Sequence, residues 1–242
     1  MAQEITVLDK QVRLKQAKNG FRTSMDSVML AAACPIKSGQ TLLDMGCGVA
    51  SAGLCVLFRV KDVSLIGVDI QEDHVALAIE NAALNSMSDN AEFICSDVRF
   101  FKHEKGFHHI VCNPPYLETG AHLRSPHDAK ATAMGHEGDL KTKDWVVNAA
   151  RLLKPEGTLT MVHEAGKVDR ILQAMEGRFG AIEIIPLWPK PEKVAKRVII
   201  RAVKGRKSPL ILHSGLILHD QGGQYTVEAE EILREAKGLR LC

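Results

Sequence analysis

The sequence predicts an α/β fold with seven mostly parallel strands in one sheet and helices on both faces. Three observations predict it. From residue 41 onward, short apolar runs alternate with stretches of helical periodicity. Four successive runs end on a polar side chain, namely Asp44, Asp69, Asp97 and Asn113. The last two runs, 182–187 and 197–203, follow each other without a helix between them, which fits a reversed final strand.

Residues 5–16 alternate loosely around Asp9-Lys10 and predict a hairpin. A polar stretch, Lys18 to Asp26, leads into the short helix Val28–Ala33, with Asp26 as its expected N-cap and Pro35 beyond its end. No such capping role explains Arg22 and Ser24. Strand Thr41–Met45 then runs into Gly46-Cys47-Gly48 and a helix reaching about Arg59. Strand, glycine turn and helix in this order let backbone approach a ligand above a helix N-terminus. The spacing to Gly53 is not that of a pyrophosphate-binding turn, and Asp44 disfavours an anion. It suits a ligand with positive charge, such as a sulfonium with an amino-acid tail.

Strand 65–70 presents Asp69, which is placed to accept both hydroxyls of a ribose, with Ile70 beside it; a helix from Glu72 to Asn85 follows. Strand 91–95 leads to Asp97-Val98, where Asp97 suits the exocyclic amine of adenine. Strand 108–112 ends in Asn113-Pro114-Pro115-Tyr116. Each proline stiffens the residue before it. By itself the tetrapeptide is either a rigid turn with a packed tyrosine, or a grip on a planar NH2 group by the Asn113 and Pro114 oxygens and the Tyr116 ring. A helix 144–153 closed by Lys154-Pro155-Glu156-Gly157, strand 158–163 and helix 168–178 complete the core.

Together these residues resemble the class I S-adenosylmethionine-dependent methyltransferases, which implies a Rossmann-like fold and transfer to a planar nitrogen. The resemblance implies Asn113, Pro114, Pro115 and Tyr116 as catalytic residues. It implies Arg22, Ser24, Asp26, Asp44, Gly46, Gly48, Asp69, Ile70, Asp97, Val98 and Asn113 as the residues that hold S-adenosyl-L-methionine. Gly20 to Ala31, His136-Glu137 and Gly223 to Glu228 are similar to one branch of that class, the bacterial tRNA(Val) anticodon-loop adenine-N6-methyltransferases. That branch implies an RNA partner, closest to tRNA. Methylation of a protein glutamine, N2-methylation of guanosine in rRNA and a non-enzymatic RNA-binding role are the alternatives. The expected organisation is a single methyltransferase domain over 1–242, with an N-terminal cap (1–38), a cofactor-binding core (39–204) and a C-terminal extension (205–242).

Composition sets bounds on this reading. The 242 residues are 45% apolar and 25% charged, and 31 basic against 29 acidic side chains give a net charge of +2, so any basic surface must be local. Lys190 to Lys207 holds eight basic residues against Glu192, either a phosphate-binding surface or a solvated sheet edge. The polar stretch 117–139 is either a loop that grips substrate or an excursion from the core; its histidines lack the spacing of metal ligands. Six scattered cysteines predict reduced, mostly buried thiols. No signal pattern or membrane-length apolar run is present. The expectation is a cytoplasmic monomer or homodimer without metal or membrane partner.

Overall fold

The computed structural model describes residues 2–17, 23–115 and 140–241. The predicted hairpin is β1 (Ala2–Val7) and β2 (Val12–Ala17), joined through Leu8, Asp9 and Lys10, all at positive φ. Then follow α1 (Met25–Ala33), β3 (Thr41–Met45), α2 (Ser51–Arg59), β4 (Ser64–Asp69), α3 (Glu72–Leu84), β5 (Ala91–Cys95) and β6 (Phe107–Cys112). The remainder is α4 (Thr142–Leu152), β7 (Leu153–Glu164), α5 (Val168–Met175), β8 (Phe179–Trp188), β9 (Arg197–Lys204), the two-residue β10 (Ile211–Leu212) and β11 (Leu216–Ile217), and α6 (Val227–Glu235).

Among the described residues the main sheet has nine strands, ordered β10-β8-β9-β7-β6-β3-β4-β5, with β11 also on β8. Seven are the expected ones; β10 and β11 extend the edge with residues from the tail. Every pairing is parallel except those of β9, which runs against both β7 and β8. The chain moves outward from β3 through β4 to β5, then returns to place β6 on the other side of β3. The crevice between the carboxyl ends of β3 and β6 is therefore the point where strand order reverses, the usual ligand position in such sheets.

Alternation along the strands builds two cores. Leu42, Leu65, Val111, Val162 and Ile199 face α1, α2 and α3, whereas Leu43, Val68, Ile110, Met161 and Ile200 face α4 and α5. Each side chain of this size contributes about 1.5–3 kcal/mol when fully buried. Helix α1 has carbonyls at its end that no helical turn can satisfy. Ala31 and Cys34 accept from the Arg59 guanidinium at 2.9 and 2.6 Å, Ala32 from the Leu239 amide at 2.9 Å, and Ala33 from Arg201 at 3.4 Å.

Four expectations need correction. The N-cap of α1 is Ser24, whereas Asp26 lies in the first turn with its carboxylate on Arg197 Nε at 3.1 Å. Lys154 to Gly157 do not separate a helix from a strand. Leu153 already pairs with Phe107, and the segment bulges out before Thr158 meets His109. Helix α5 stops at Met175, where Gly177 at φ +71° turns the chain. Finally, the basic run does not form one surface. Strand β9 carries it across the sheet, about 3.3 Å per residue, so Lys190, Lys193 and Lys196 lie at the carboxyl edge and Arg206 and Lys207 at the opposite one. Within it, Arg201 pairs with Glu183 at 2.5 Å and Lys204 Nζ donates to the Leu153 carbonyl at 2.5 Å.

Candidate active site

The turn after β3 is pinned before any ligand arrives. The Gly46 and Cys47 amides both donate to the Val68 carbonyl, at 2.8 and 3.0 Å, and the Gly48 amide donates to Asp69 Oδ2 at 2.8 Å. Gly46 has φ +73°, and a Cβ there would stand 2.6 Å from the Trp145 ring of α4. Gly48 has φ +53°, and a Cβ there would meet no protein atom within 4 Å. One glycine is thus required by packing and the other faces open space beside a buried carboxylate.

Asp44 lies beneath the turn. Its side chain is 3% exposed and accepts from the Gly53 amide in the first turn of α2 at 2.8 Å. Burial, and then the neighbouring charge of Asp69, push its carboxyl up to about 7, against the pull of the Gly53 hydrogen bond. The residue holds the turn and supplies charge from below it, a placement that sequence spacing does not convey.

Asp69, at the tip of β4, is also buried. Besides Gly48 it accepts from the Gln71 amide at 3.0 Å, and His74 Nδ1 stands 3.6 Å away. Each carboxylate oxygen retains a second lone pair for a ligand hydroxyl. Ile70 next to it is half-buried. Beyond β5, the Asp97 carboxylate is held by Arg99 in a fork, with Nε and Nη2 at 2.9 and 2.6 Å from Oδ2, and accepts the Arg99 amide at 2.8 Å. Val98 is buried, and its carbonyl accepts from Arg151 of α4 at 3.0 Å; the same guanidinium reaches the Phe101 carbonyl at 2.8 Å. Sequence reasoning missed Arg99, Trp145 and Arg151. Trp145 and Arg151 read as ordinary positions of an amphipathic helix, and only the fold brings them under the glycine turn and the Asp97 loop.

Asn113 follows the last residue of β6. Cys112 pairs with Met45 on one side and Met161 on the other, so Asn113 leaves the sheet directly beside the Gly46 turn. It is half-buried, Pro114 is buried and Pro115 is exposed. Tyr116, Arg22 and residues 117–139 lie outside the described residues. The segment before α1 also reaches this edge. Thr23 Oγ1 is 2.5 Å from Ser51 Oγ at the start of α2, Ser24 is exposed, and Asp26 meets Arg197 at the first residue of β9. The fold thus collects Ser24, Asp26, Asp44, Gly46, Gly48, Asp69, Ile70, Asp97, Val98 and Asn113 along one edge.

Residues 22–187 match the model of the methyltransferase small domain. The chain belongs to that family. Curated relatives agree over most of the length. A tRNA1(Val) (adenine(37)-N6)-methyltransferase of Bacteroides thetaiotaomicron is 27% identical over 93% of this chain and 94% of its own. One of the same name from Vibrio campbellii is 27% identical over 93% and 92%. Among solved structures, a predicted O-methyltransferase from Agrobacterium tumefaciens superposes with a TM-score of 0.74 at 22% identity, covering 89% of this chain and 98% of that one. An S-adenosylmethionine-dependent O-methyltransferase from Thermotoga maritima gives a TM-score of 0.56 at 17% identity, over 79% and 69%. These two likenesses concern the fold.

The residues of this family member fit S-adenosylmethionine. Gly48 leaves room above a helix start, Asp69 keeps lone pairs for ribose hydroxyls, and the Asp44 and Asp69 charges suit a sulfonium and an ammonium. Among the described residues, no group of three His, Cys, Asp or Glu could hold a metal ion, and no helix is long and apolar enough to cross a membrane. Cys34, Cys47, Cys55 and Cys112 are buried free thiols, whereas Cys95 is exposed.

Proposed function

We propose that this protein transfers a methyl group from S-adenosylmethionine to the N6 amine of an adenosine in RNA, with tRNA as the substrate. The observation that carries the reading is the position of Asn113: it opens a proline-stiffened turn beside the Gly46 turn, at the point where strand order reverses. The names of the curated relatives support the adenine and the tRNA.

S-adenosylmethionine, when bound, supplies an electrophilic methyl carried on a sulfonium. Gly46 and Gly48 shape the turn against which it lies, Asp69 takes its ribose hydroxyls, and Asp97 is the acceptor for its adenine amine, shared with Arg99. Asn113 Oδ1 and the Pro114 carbonyl accept the two hydrogens of the target amine, which directs the nitrogen lone pair out of the base plane. Tyr116 stacks on the base, which must come from a single strand or be turned out of a stem. An amide side chain suffices here, because the nitrogen becomes acidic only as its new bond forms and then gives its surplus proton to water. Positioning and electrostatics carry the rate.

Incubation with radiolabelled S-adenosylmethionine and total tRNA, rRNA or protein extract, followed by nucleoside and amino-acid analysis, tests the reading. Label in N6-methyladenosine from tRNA is the expected outcome. Label in N2-methylguanosine or in methylglutamine would replace it.

A further inference from the structure

Helices α4 and α5 both begin at the carboxyl edge, α4 because it leads into β7 from that side and α5 because it leaves β7 there. They pack side by side, and between the first turn of α4 and the Arg170–Ala174 stretch of α5 lies a groove of about 510 Å³ lined by Lys141, Thr142, Lys143, Arg170, Gln173 and Ala174. Among the described residues no carboxylate lines it. Lys141, Lys143, Arg170 and Gln173 are exposed; of the two adjoining acids, Asp144 has its carboxylate on the Lys141 amide at 2.9 Å, and Asp169, next to Arg170, is exposed. Lys167 is the N-cap of α5. The Ala165 amide, in the segment leading into α5, donates to the Lys196 carbonyl at 3.1 Å, which ties that segment to the Lys190–Lys196 loop.

Building on the adenosine reading above, we propose that this groove binds the sugar–phosphate backbone of the RNA strand flanking the target base. The observations specify a polyanion. The lining is cationic and polar, with Ala174 its one apolar member among the described residues. The N-terminus of α4 adds its partial positive charge. The groove begins one strand away from Asn113, since β6 and β7 are neighbours. Contacts of this kind position a strand without reading its sequence, and their strength falls with salt as counterions are released.

The test compares two double variants of the full chain with equal change in charge. Lys143→Glu with Arg170→Glu reverses the groove; Arg206→Glu with Lys207→Glu reverses the opposite edge. Affinity for an anticodon stem-loop RNA is measured by fluorescence anisotropy across a salt series. S-adenosylhomocysteine affinity and melting temperature report that each variant is folded, and Lys143→Ala with Arg170→Ala replaces the first variant if it is not. The groove variant is expected to bind at least about tenfold more weakly, with a salt slope smaller by roughly 1.4–1.8; the opposite-edge variant is expected to stay within about twofold of the parent. Equal weakening in both, or unchanged RNA affinity in the groove variant, would overturn the proposal. Methyl transfer by the parent is assayed separately. A parent that binds RNA through the groove but methylates no adenosine refutes the reaction and leaves the groove standing.

Discussion

The two halves of the carboxyl edge are built differently. On the β3–β5 side, every named carboxylate is already bonded within the protein: Asp44 to Gly53, Asp69 to Gly48 and Gln71, Asp97 to Arg99. On the β6–β7 side stand a neutral amide, a rigid proline turn, and two helices bearing the exposed Lys141, Lys143 and Arg170. The first half is pre-wired for a small ligand of positive charge, and its geometry costs nothing to assemble at binding. The second half presents long flexible cations to an extended anion, which must be ordered when it arrives. A single strand boundary, β3 to β6, separates a site that recognises by fixed dipoles from one that attracts by charge.

The largest effect expected across that boundary is on chemistry alone. Asn113→Ala should lower the rate of methyl transfer by about 10²–10³-fold with cofactor affinity unchanged, measured by single-turnover assay and isothermal titration. Retained transfer would sink the assignment of the amine grip. Gly46→Ala strikes the pre-wired half, because its Cβ meets the Trp145 ring at 2.6 Å and its φ of +73° suits glycine. The left-handed conformation and overpacking together predict a stability loss of roughly 2–5 kcal/mol, read from denaturant unfolding.

Asp69→Ala removes the acceptor of two backbone amides and, on the proposed reading, of the ribose hydroxyls. Cofactor affinity should fall by about tenfold to a hundredfold, the scale of hydrogen bonds to a charged group, while RNA affinity stays the same. Asp44 supplies a pH test. Its folded carboxyl holds a proton up to about 7, above the unfolded value of 3.8. Stability from this group is therefore fullest below 3.8 and declines as pH rises from there to about 7. A positively charged ligand favours the ionised form, so cofactor affinity should rise with pH through about 7, with proton release on binding below it. Asp44→Asn should flatten both slopes while keeping an acceptor for Gly53, checked by calorimetry in buffers of different ionisation enthalpy. Smallest is Asp26→Ala, which should cost about 1 kcal/mol and be matched, not augmented, by Arg197→Ala in a double-mutant cycle.

What could be read from the chain follows from the range of the forces involved. Apolar runs of five or six residues with a polar side chain at or just past the tip located β3, β4 and β6, because burial on both faces imposes that pattern, and also the half-buried edge strand β5. The same logic put Asp69 and Asn113 at the edge. Asp26 was misread as a cap because Ser24 and Asp26 are both capping residues in a three-residue window, and the partner that decides between them, Arg197, lies 171 residues away. The bulge at Lys154–Gly157 depends on Phe107 pairing with Leu153, and β10 and β11 are two residues each, too short to show a period. The basic run looked like one patch since sequence proximity hides the span of an extended strand.

The carbonyls at the end of α1 have a consequence for the order of synthesis. Their donors come from residues 59, 201 and 239, so the helix whose first turn carries Asp26 to the carboxyl edge is completed by chain made long after the helix itself. A nascent chain holding the cofactor half alone has β3, α2 and β4 in hand but not β9, on which Asp26 rests. The part of the edge built from β3, α2 and β4 can form before β9 is made. The contacts that fix α1 and Asp26 wait for β9 and Leu239.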